Sequence, residues 1–109
     1  MNSEIGKLHQ QLIATHMILA ERLGRTIDPD EAEAILREME ELNFRVMMAG
    51  RLLFKETTAA IDKQLGTVIE AAADLDKAIG EIEKVKKLIM AVGKFLTLVD
   101  KVLDAIKVH

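Results

Sequence analysis

The sequence predicts an all-α chain: a long antiparallel helical hairpin, coiled-coil-like, with a shorter N-terminal helix packed at its base to complete a three-helix bundle. Three observations carry this. Half of the 109 residues are apolar, and these are mostly aliphatic or Met, with three Phe and no Trp or Tyr. Turn formers are scarce, with one Pro, one Ser and two Asn, far fewer than many short strands would need. Apolar residues also recur at 3- and 4-residue steps through long stretches, the spacing of one helix face. The length suits a single domain spanning 1–109.

Helix 1 is expected over about 3–23. Ile5, Leu8, Leu12, Thr15 and Leu19 share one face, and Gly24 follows at the usual place of a left-handed C-cap. Arg22 and Arg25 suit the negative helix end. The next start signal is the strongest. In Asp28-Pro29-Asp30-Glu31, Asp28 is an N-cap and Pro29 occupies the first helical position, where its missing N–H costs nothing. Glu31 completes a capping-box-like arrangement.

Helix 2 is expected over about 29–65, with Ile35, Met39, Leu42, Val46, Ala49 and Leu53 at alternating steps of four and three. The chain then reverses at Gly66, where Thr67 and Glu70 form a T-x-x-E capping box for helix 3, expected over about 67–107. Two rivals stand beside this turn. One reverses the chain near Thr57-Thr58, where two β-branched residues weaken the helix. The other leaves one unbroken helix, because the apolar spacing stays in phase through Ile61, Leu65, Val68 and Ala72.

Helix 3 carries two coiled-coil seams, one from Val68 to Ile82 and one from Val85 to Ile106. They are separated by two successive 3-steps that read as a stammer. Gly80 and Gly93 read as close-packing points. A reversal at Gly66 lays residue 30 against about 103. Residues 28–43, with seven acids and one Arg, then face residues 84–109, with six Lys and two Asp. Exposed ion pairs contribute only about 0.3–0.5 kcal/mol each, so charge here would set register more than stability.

Composition narrows function. The chain has no Cys, which removes disulfides, thiolate metal sites and Cys nucleophiles. His9 and His16 share a helix face without a converging acid, no Glu-x-x-His occurs, and His109 is expected to be a loose terminus. The acid pairs Glu38 with Glu41 and Asp74 with Asp76 sit on expected wet faces. The only basic cluster, Lys84, Lys86 and Lys87, lacks aromatic neighbours, which argues against nucleic acid. The expectation is therefore a protein that is not an enzyme, with no cofactor and no metal.

The expected role is self-association, or capture of a partner helix, through coiled-coil faces. The candidate interface comprises Met47, Met48, Phe54, Ile61, Leu65, Val68, Leu75, Ile79 and Ile82, because a two-helix tip buries too little surface to stand alone. The alternative is a membrane-active or secretion-associated protein, such as a pore-forming component, a secreted substrate or an immunity-type protein. It would use amphipathic residues 84–106. The N-terminus lacks signal-peptide order and the longest apolar run, Leu88–Val99, is interrupted by Lys94. A cytoplasmic location is expected, with signal-less secretion as the other route.

Overall fold

A computed structural model describes residues 1–108. Within them are four helices, α1 (Ser3–Gly24), α2 (Pro29–Arg51), α3 (Ala59–Glu81) and α4 (Val85–Lys107), and no strand. His109 lies outside the described residues. The all-α class holds, but the three-helix hairpin does not. The chain breaks twice inside the span expected to form two long arms, and the four pieces are 22, 23, 23 and 23 residues long.

The helices form a square. α1 packs on α2 and α3, and α4 packs on α3 and α2, leaving α1–α4 and α2–α3 as the diagonals. Two antiparallel hairpins, α1–α2 and α3–α4, therefore lie side by side. The link at 52–58 crosses the diagonal at one end, so α1 runs parallel to α3 and α2 parallel to α4. The bundle measures 44 × 21 × 18 Å.

Each helix contributes one aliphatic stripe to the core. On α1, Ile5, Leu8, Leu12, Thr15 and Leu19 are all fully buried, as their spacing predicts. On α2 the deepest residues are Ile35, Leu42 and Ala49, one every seven. On α3, Ile61, Leu65, Val68, Ala72, Leu75 and Ile79 face inward. α4 buries nine residues, with Leu88, Phe95 and Val102 widening the Val85–Ile106 seam on one side, while Leu98 is 40% exposed.

The helix starts follow their caps. Asn2 Oδ1 accepts from the Glu4 and Ile5 amides, and Asp28 Oδ1 accepts from those of Asp30 and Glu31. Pro29 stands at the first position of α2. Thr58 Oγ1 accepts from the Ile61 amide and opens α3, so the chain turns near Thr57-Thr58, the first of the two rivals.

Gly66 lies inside α3, and Thr67 Oγ1 donates to the Lys63 carbonyl one turn back instead of capping a new helix. The double 3-step at Ile82–Val85 is a loop, not a stammer: Ile82 is extended, with φ −76° and ψ 116°. Gly24 ends α1 without the left-handed conformation, since no glycine has positive φ. Arg25 N and Thr26 N instead donate to the carbonyls of Arg22 and Leu23. Gly80 and Gly93 are not close-packing points, since open space lies where a Cβ would stand on either. The close approach is at Gly50, where the His9 imidazole would lie 3.4 Å from a Cβ.

The expected pairing of residue 30 with 103 also fails. α2 and α4 run parallel, so Arg45 meets Asp100, and this is the one ion pair between helices among the described residues.

The position of Gly66 separates the two architectures. Inside a helix, with open space around it, Gly66→Ala should raise stability by about 0.5–1 kcal/mol. In a left-handed turn the same change destabilises. Urea unfolding followed by far-ultraviolet circular dichroism reads the sign.

Candidate functional site

Polar contacts lock the two hairpins together at both ends and in the middle. At one end the Asn2 amide donates to the Leu53 carbonyl (2.7 Å), and its Nδ2 donates to the Lys55 carbonyl and Thr57 Oγ1. Thr57 Oγ1 in turn donates to Asp62. One residue thus caps α1 and holds the crossover. At the other end Arg22 donates to the carbonyls of Ile79, Ile82 and Glu83, at 3.3, 2.5 and 2.7 Å. Its charge satisfies the exposed carbonyl end of α3. In the middle, Arg45 makes a two-pronged contact with Asp100 (Nε–Oδ1 3.0 Å, Nη2–Oδ2 2.9 Å) and also donates to the Glu41 carboxylate. The Asp100 hydrogen bond raises the Arg45 pKa further, so the guanidinium stays charged.

Two carboxylates are less wet than their sequence setting suggests. Thr15, fully buried on α1, donates to Asp76 Oδ1 of α3 at 2.7 Å, with the Gln11 carbonyl 3.0 Å from the same hydroxyl. Burial raises the Asp76 pKa, and the Thr15 hydrogen bond only partly opposes it. Burial also raises that of Glu38, reinforced by Glu41 and opposed by Arg45. Their partners in the acid pairs, Asp74 and Glu41, are exposed. Neither pair brings two carboxyls together in a pocket, and no group of three His, Asp or Glu residues among those described is placed to hold a metal ion. His9 and His16 are half-buried, His9 against Gly50.

The candidate interface residues divide sharply. Ile61, Leu65, Val68, Leu75 and Ile79 are at most 6% exposed. They belong to the chain's own core, which corrects their expected place on an exposed tip: α3 is flanked by α1 and α4, so its seam is already filled. Ile82 and Met48 are half-buried against the same core. Only Met47 and Phe54 remain open, 51% and 82% exposed.

The structure adds residues that the seam pattern passed over. Leu36 and Phe44 are 45% and 58% exposed and stand with Met47 on the outward stripe of α2. Met17, 63% exposed, lies on the outward side of α1. The signal was present in the sequence: Leu36, Phe44 and Met47 fall outside the Ile35–Leu53 seam, so the core cannot use them all. This outer face of the α1–α2 hairpin is the candidate interaction surface.

An open groove of about 1020 Å³ runs beside α1. It is lined by Met1, Gly6, Gln10, Gln11, Leu53 and Ile69 among others. Ser3, Lys7 and His9 also line it. No helix among the described residues is long and apolar enough to cross a membrane. No family model matches the chain, and no curated protein or solved structure matches it.

The Asp76 environment makes a signed expectation. A raised carboxyl pKa in the folded state means that ionisation costs stability above the folded value, and the cost disappears as pH falls toward the ordinary value of 3.8. Asp76→Asn keeps an oxygen for Thr15 and removes the charge. Its melting temperature should exceed that of the parent at pH 7, with the difference closing as pH approaches 4. Equal melting curves at pH 7 would refute the burial argument.

Proposed function

We propose that the protein is a non-enzymatic helical interaction module that self-associates, or takes a partner helix, on the outer face of its α1–α2 hairpin. One observation carries the reading: Leu36, Phe44 and Met47 on α2 and Met17 on α1 are each about half exposed or more on that face. Single exposed apolar residues are ordinary, but grouped ones mark interaction sites. Met adds an adaptable side chain suited to packing against another helix. A cytoplasmic location belongs to the same proposal.

The alternative, a membrane-active or secretion-associated protein working through residues 84–106, draws less support. Nine apolar side chains of α4 are buried in the bundle, so their use at a membrane requires the bundle to open.

Light scattering tests self-association, with refractive-index detection because the chain lacks Trp and Tyr. The expected mass at micromolar concentration is above 12.1 kDa. Phe44→Asp combined with Met47→Asp should return it to 12.1 kDa with helix content by circular dichroism unchanged, because both side chains lie outside the chain's own core. A parent protein that weighs 12.1 kDa throughout contradicts self-association.

A further inference from the structure

We infer that the partner is a second copy of this chain, and that the two copies meet with their α2 helices antiparallel across a two-fold axis near position 42. This rests on the self-association reading above and adds its geometry.

The outward stripe of α2 reads Glu33, Leu36, Glu40, Phe44, Met47, Arg51, at steps of three, four, four, three and four. All six are exposed. The stripe is close to self-complementary when reversed. Turned end for end, it sets Glu33 against Arg51 of the other copy, Leu36 against its Met47, and each central Phe44 beside the axis. Both ends of the contact then carry opposite charge, and between them Leu36, Phe44 and Met47 flank Glu40, which meets Phe44 of the other copy; each contact occurs twice, as in any isologous interface. A parallel arrangement in register would instead stack Glu33 on Glu33 and Arg51 on Arg51. The charges at both ends are free to be shared. Glu33 has only Arg37, at 3.9 Å with both side chains about 70% exposed, and Arg51 has no ion pair among the described residues.

Two further observations fit the same axis. His9 lies against Gly50. Eight residues further along each of these antiparallel helices, Met17 of α1 stands level with Leu42 of α2. The axis that centres the α2 stripe therefore also brings the exposed Met17 toward its own copy. The face is large enough: its outline of 44 by 21 Å, roughly 900 Å², is an upper limit that accommodates the ~800 Å² per partner of a standard stable interface.

Charge reversal tests the geometry on the intact chain. The parent should weigh about twice 12.1 kDa. Glu33→Arg and Arg51→Glu each set like charges together and should weaken dimerisation at least about tenfold. The two changes combined should restore it to near the parent value, with circular dichroism confirming equal helix content in all four proteins. A parent dimer unaffected by either single reversal would overturn this arrangement while leaving self-association standing. So would a double variant no better than the singles. A monomeric parent would end both.

Discussion

The fold depends on one constraint: each helix has a single aliphatic stripe that must leave water. Two 40-residue arms would press each stripe against one neighbour along its whole length. Four helices of 22–23 residues give each stripe two flanking helices and a diagonal one. The same apolar residues then form one continuous core running from Ile5 to Ile106. Burial scales with the area taken from water, about 25 cal/mol per Å², so the shorter, thicker solution wins over the long thin one.

The breaks that permit this are held by contacts distant in sequence. Asn2 is more than 50 residues from the crossover carbonyls it binds, and Arg22 about 60 from the α3–α4 loop. Both supply hydrogen-bond partners where the chain leaves the helix, so the loops do not strand backbone groups. The Arg45–Asp100 contact and the Thr15–Asp76 hydrogen bond then set the lengthwise position of one hairpin on the other.

The same balance of local and distant contacts decides which parts of the architecture are legible in the sequence. Asp28-Pro29 marks the start of α2 through local chemistry, and the α1 stripe is a clean periodic signal. The break at 52–58 contains neither Gly nor Pro, and only the weak hint of Thr57-Thr58 betrays it. The loop at Ile82–Lys84 is harder still: Lys84 begins α4 with no side-chain cap. Gly66 misleads because a glycine inside a helix and a glycine closing one look alike without tertiary contacts. The interaction surface shows the same division. Met47 and Phe54 are readable as surplus to the seam, whereas Leu65 and Ile79 look unpartnered only until the chain is folded into four helices rather than three.

The four-helix bundle requires α3 and α4 to lie antiparallel as neighbours of equal length. The chain has no Cys, so two labels can be placed at will on the exposed positions Lys63 and Asp104. Spin-label distance measurement between Lys63→Cys and Asp104→Cys should give about 20 Å or less, since adjacent helix axes lie about 8–10 Å apart. A reversal at position 66 would leave these sites at opposite ends of a long hairpin, and a distance near 50 Å, at about 1.5 Å per residue, would contradict the four-helix bundle.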